Sequence, residues 1–369
     1  MNQLFRWDQM GLFLLALAAG ILPFAVPEVC AAALREGLTL CCGPLLLSLF
    51  PFLVVSRLLI QCPESDLLAL PFRLAAWGIG IRTPCAARVL CIGFLGGFAP
   101  AASAVAQAVR TGQLTAEEAD ALLPACICSG PSFVVLTVGQ SLLGSAELGV
   151  LLFASQITAN YLTAALLNRF AGVRSVKLGS AAPASPAPPR LDEILADAAI
   201  TYCKLCGFIL FFRMLAAGAG ALLPADAGTL CSILLEVCSG CDLASRTGRW
   251  GSLLCCAALS VQGLSVLLQV RTICPPEMTL RPLYRARMLH LPLSLALFYL
   301  LLPGGEADVF STLPARVLLM RRVPPDCALL VFAVCCMAAC TLRSGIRQVE
   351  QKQMARNAGG CCINSKTLL

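Results

Sequence analysis

Long apolar blocks recur along this chain with few polar stretches between them, and this sets the solvent before it sets the fold. A backbone surrounded by hydrocarbon has no water for its N–H and C=O groups, so only helices and closed barrels cross a bilayer. A barrel would show short segments of alternating hydropathy, whereas these blocks are continuous. An all-α membrane protein, a polytopic helical bundle, is therefore expected. Candidate spans fall at 10–26, 37–60, 146–167, 200–223, 288–302 and 327–342. About 20 apolar residues cross the hydrocarbon core, so the shorter blocks must extend beyond these limits. Composition agrees: 58% of the 369 residues are hydrophobic and 13% charged, against about 25% charged in soluble domains. The first block follows a polar start containing Arg6 without a convincing cleavage site after it, and reads as a retained helix.

Three further apolar stretches, 89–109, 122–143 and 252–270, are interrupted by Gly, Pro, Ser and Gln. Such segments suit broken or re-entrant helices, which survive at membrane depth only inside protein or beside a wet cavity. Thr115-x-x-Glu118 has the pattern of a capping box opening a short polar helix. The stretch 179–190, GSAAPASPAPPR, is a linker with no capacity to pack a core. The chain accordingly divides into an N-terminal helix (1–36), a first transmembrane repeat (37–170), a linker (171–194), a second repeat (195–342) and a basic tail (343–369). FLVVSRLL around Arg57 echoes FILFFRML around Arg213, and SAVAQAVRT from Ser103 echoes SVLLQVRT from Ser265, in the same order. The echoes predict a duplicated fold, with the halves related by inversion and a site near the midplane where broken helices meet.

The net charge of +7 forms no basic block interleaved with aromatics, which argues against nucleic-acid binding. Most of the 22 cysteines lie inside apolar blocks, where free cysteine behaves as a small hydrophobe, and His290 is the only histidine. No metal and no cofactor are expected. Without a phosphate-binding loop, an HExxH or a nucleophile elbow, the chain is not expected to be an enzyme. Any energy coupling would come from a proton or cation gradient, or from downhill movement.

The stretch 91–133, CIGFLGGFAPAASAVAQAVRTGQLTAEEADALLPACICSGPSF, carries a resemblance. Gly93, Phe94, Gly97, Phe98 and Ala102 match a G-F-x-x-G-[YF]-P-x-G-A motif. Cys126, Gly130, Pro131 and Phe133 match C-N-x-x-G-P-x-F after a short acidic helix. In the second half Leu235, Glu236, Ser239 and Gly240 match L-E-x-x-[NS]-G, and LSVQGLSVLLQ from Leu259 looks like L-S-F-G-G-L-S-V-x-x-Q. This ordered set resembles the YlbJ/SpoVV-like sporulation membrane proteins, which carry nucleoside-recognition (Gate) domains. Pro100 sits one place later than that family's proline, Ser103 replaces a lysine, and Ile127 replaces an asparagine. The resemblance implies transport in endospore formation, with dipicolinate moving from mother cell to forespore across the outer forespore membrane. A nucleoside-type permease and a structural protein of cortex assembly are the alternatives.

Candidate substrate-binding residues follow. Gly93, Gly97, Pro100, Gly130 and Pro131 free backbone groups that can ligate a solute, or else serve close helix packing. Ser103 and Ser129 lie in the matched motifs, as do Ser239, Gly240 and Gly263. Glu236 is a carboxylate in an apolar run, a candidate proton-coupled gate or an interfacial residue. Gln262, Ser265 and Gln269 would share one helical face, as solute donors or as an inter-helix clamp. Arg57 and Arg213 would offer planar forks to a dianion, or reach towards the interface. The partners expected are a small anionic solute and the lipid bilayer.

Overall fold

A computed structural model of the chain describes residues 2–61, 67–171 and 190–302. The expected span 327–342, the tail and most of the linker lie outside the described residues. Among those described, the structure is helical throughout, with no strand.

The helix α1 (Asn2–Ala25) leads into α2 (Pro27–Cys42), and their apolar parts meet at a bend of 111°. The helix α3 (Pro44–Gln61) follows directly. The single span expected at 37–60 is thus broken at Gly43, because Pro44 has no N–H to continue the ladder and disfavours a helical residue before it. The boundary placed at 36/37 accordingly falls inside α2. The helices α4 (Leu70–Gly78), α5 (Pro84–Gly96), α6 (Phe98–Arg110) and α7 (Ala116–Cys126) follow, then a π-helical segment, Ser132–Leu142, and α8 (Ala146–Ala171). Thr115 opens α7 through the expected capping box, its hydroxyl accepting from Glu118 N at 3.1 Å.

After the linker come α9 (Leu191–Leu222), α10 (Ala225–Leu235), α11 (Val237–Ser245), α12 (Gly251–Val261), α13 (Gly263–Ile273) and α14 (Arg281–Leu301). Among the described residues, three helical stretches are long and apolar enough to cross a membrane: Ala146–Ala171, Leu191–Leu222 and Gly248–Ile273. The bent α1–α2 pair adds a fourth if it counts as one span. These are the marks of a helical membrane protein.

Packing joins the two halves along the middle. Helix α6 is almost all buried alanine on its core side and lies against α13, small side chains letting the backbones approach. Helix α14 packs on α7, α8 and α12, while α9 runs beside α2, α3 and α10.

Candidate functional site

Four breaks meet in the interior, two from each half. In the first half α5 gives way to α6 at Gly97, and α7 to the π-helical segment across residues 127–131. Gly97 has φ +81°, and a Cβ on it would sit 2.7 Å from the Gly130 nitrogen. In the second half α10 gives way to α11 at Glu236, and α12 to α13 at Gln262. Gly263 has φ +70°, and a Cβ there would sit 2.9 Å from the Glu236 nitrogen. Each half therefore holds two broken helices crossed backbone to backbone, and only glycine permits the contact at either crossing.

The breaks at Ile127 and Gln262 touch. Ile127 ends α7, so its carbonyl has no helical partner. It accepts from Gln262 Nε2 at 3.3 Å, from Asn160 Nδ2 at 3.4 Å and from Arg287 Nη2 at 2.7 Å. Arg287 also donates to Asn160 Oδ1 at 3.3 Å and to the Ser260 carbonyl at 3.4 Å. A second layer lies beside it. Gln156 Nε2 donates to Ser260 Oγ at 2.9 Å, the Ser260 and Ser294 hydroxyls are 2.5 Å apart, and His290 Nε2 donates to the Gln156 carbonyl at 3.2 Å. Every side chain in this network is buried; Arg287 is 7% exposed and His290 1%.

The network is short of partners in a particular way. Every oxygen facing Arg287 is a neutral amide or carbonyl, and it forms no ion pair with a carboxylate among the described residues. Among the described residues its Nε has no hydrogen-bond partner, nor do His290 Nδ1 and Gln262 Oε1. A permanent cation has been taken out of water, at a cost of several kcal/mol, without an anion to meet it.

The residues expected from sequence occupy varied places. Gly97, Ser129, Gly130 and Pro131 form the first crossing, and Gly93 packs on the end of α7, where a Cβ would meet the Cys126 oxygen at 2.7 Å. Pro100 and Ser103 lie buried in α6, Ser103 Oγ lacking a partner among the described residues. Gly240 fits closely against Ile233 of α10. Glu236 is spent on capping: its oxygens accept from Cys238 N at 2.9 Å and Ser239 N at 2.7 Å, where α11 opens. That is the stabilised position for an anion on a helix, and it gives the carboxylate a structural task.

Gln262, Ser265 and Gln269 do not share a helical face. Gln262 is itself the break, in the left-handed conformation at φ 62°, so the stripe is cut at its first member. Gln269 instead donates to Ser265 Oγ at 2.9 Å. Arg57 and Arg213 are met elsewhere. Arg57 pairs with Asp197 at 2.7 Å and Arg213 with Glu36 at 2.8 Å, both fastening α9 to its neighbours. Neither reaches towards an interface as an unpaired cation.

Reading the sequence missed Arg287, His290, Gln156, Asn160, Ser260 and Ser294. A span drawn from residue 288 left Arg287 just outside. The usable signal was spacing: Gln156 and Asn160 at i, i+4, and Arg287 and His290 at i, i+3, each put polar groups on one helical face. No protein-family model, no curated protein and no solved structure matches this chain.

Proposed function

We propose that the protein is a membrane transporter for a small anionic solute, bound where the broken helices of the two halves meet. The observation that carries the reading is Arg287: a buried guanidinium at that junction, held by neutral oxygens and opposed by no carboxylate among the described residues. A protein needing only a structural tie could have placed Asp or Glu there, as it does for Arg57 and Arg213. A carboxylate-bearing solute would fit the planar fork and remove the charge deficit. Broken helices support transport over scaffolding, because a scaffold has no use for freed backbone groups in its interior.

The motif resemblance makes the solute dipicolinate, or a like dicarboxylate, and the setting endospore formation at the forespore membrane. The duplicated architecture belongs to the same reading. It is supported by α6 and α13, which carry the echoed runs from Ser103 and Ser265 and each begin one residue after or at a left-handed glycine, Gly97 or Gly263. The companion break follows the glycine in the first half and precedes it in the second, so the repeat is closest at this pair of helices.

Equilibrium binding to the purified protein tests the proposal, comparing dipicolinate, an aliphatic dicarboxylate and a nucleoside. Dicarboxylate binding that disappears in Arg287→Gln is the expected result. Nucleoside binding that ignores Arg287 would move the reading to a nucleoside-type permease. No binding of any solute by folded protein would leave the structural alternative.

A further inference from the structure

We infer that His290 takes up a proton together with the anion at Arg287, so that the solute moves as a dicarboxylate accompanied by one proton. The inference rests on the transport reading above and adds its coupling ion.

The argument begins with the tautomer. A carbonyl oxygen only accepts, so His290 Nε2 carries the hydrogen in its 3.2 Å contact with the Gln156 carbonyl. The neutral ring then presents a lone pair on Nδ1, which is buried and has no partner among the described residues. One turn earlier on α14 the Arg287 Nε–H is likewise buried and without a partner. Residues at i and i+3 share a helical face. One turn of α14 thus carries an unused donor next to an unused acceptor, and the acceptor becomes a donor on protonation.

The surroundings decide when that proton can arrive. On α7, Glu118 is engaged with Thr83 and Thr115, Asp120 with Thr279 and Leu280, and the Cys126 thiol donates to the Leu123 carbonyl; Glu117 is exposed. On α8, Gln156 and Asn160 are neutral, Tyr161 is a phenol, and Glu147 and Arg169 sit exposed near the helix ends. On α12, the only titratable groups are the thiols of Cys255 and Cys256, which donate to the Cys241 and Ser294 carbonyls. On α14 itself Arg281 and Arg285 are exposed, leaving Arg287 as the charge beside the ring.

A second positive charge one turn from Arg287, away from water, is strongly disfavoured while the site holds no anion. A bound dianion reverses the sign of that interaction. Two negative charges are balanced by one guanidinium and one imidazolium, and the occupied site is neutral. The only bond change is a proton transfer: hydronium gives up an O–H to form N–H at Nδ1, and the reverse transfer returns the proton to water when the anion leaves. Linkage makes the effect reciprocal, so proton binding tightens anion binding by the same factor. Histidine is the side chain whose ordinary titration lies nearest neutrality, and this chain has one.

The test is calorimetry of dipicolinate binding to the full-length protein in buffers of differing ionisation enthalpy. The wild type should take up about one proton per dipicolinate, with affinity rising as pH falls by up to about tenfold per unit. His290→Gln and His290→Asn, checked for folding by thermal melting, should lose the uptake and flatten the pH dependence. Uptake that persists in either folded variant, or wild-type binding with no uptake, overturns the inference while leaving the transporter reading intact. Failure of the folded wild type to bind any dicarboxylate overturns both.

Discussion

The seam along α9 and the face of α14 both take arginine largely out of water and treat it in opposite ways. At the seam, Arg57 and Arg213 each reach a carboxylate on a neighbouring helix, and both carboxylates are about half exposed, at 52% and 53%. Arg57 is buried and Arg213 half-buried, while their partners stay partly wet, so the pairs hold the helices together at modest cost. On α14, among the described residues, Arg287 faces only backbone carbonyls and the Asn160 amide, deep among crossed breaks. Those oxygens satisfy geometry without cancelling charge. A matched arginine is part of the frame; on the transport reading proposed above, the unmatched one is the group that meets the solute.

The sharpest way to break this contrast is to remove the charges separately. Arg287→Gln should weaken dicarboxylate binding by about 100-fold or more, the scale of losing one member of a buried charge pair. Arg213→Gln should leave binding within a few-fold and lower the melting temperature instead. Titration and thermal unfolding of both variants in one detergent give the comparison, and an interchange of the two phenotypes would dissolve it.

The next effect concerns the crossing that exposes the Ile127 carbonyl. Gly97→Ala adds a Cβ against the Gly130 nitrogen at a left-handed residue and should cost about 3 kcal/mol, combining strain with overpacking. Gly207→Ala, where nothing lies within 4 Å, is the control and should be neutral or slightly stabilising. Equal melting temperatures for the two would show that the crossing tolerates a side chain. Smaller again is Asp197→Asn, which leaves Arg57 without its counter-charge. Because Asp197 is half exposed, the loss should be about 1–2 kcal/mol, recovered in part by Arg57→Met in the same chain. The smallest is Ser294→Ala: losing the contact with Ser260 should cost about 1 kcal/mol by chemical unfolding.

Much of the frame was legible. Breaks expected within 89–109, 122–143 and 252–270 fall at Gly97, at 127–131 and at Gln262, because Gly, Pro and polar residues in an apolar run have a local effect on the backbone. The capping box at Thr115 is local in the same sense. Inside the span expected at 37–60 the same local rule acts against hydropathy: Gly43-Pro44 divides a stretch that apolar content alone reads as one helix.

The sequence by itself determined the solvent, the helical class, the positions of most breaks and the residues on which they depend. These follow from the composition of short windows and from backbone sterics. Only the tertiary structure decided which charges are matched. Arg57 finds Asp197, and Arg213 finds Glu36, across separations of 140 and 177 residues, while among the described residues Arg287 finds Ile127 and no carboxylate. Hydropathy treats the three arginines alike. The free energy of a buried charge depends on what lies within a few ångströms in space, and helix packing alone brings those groups together.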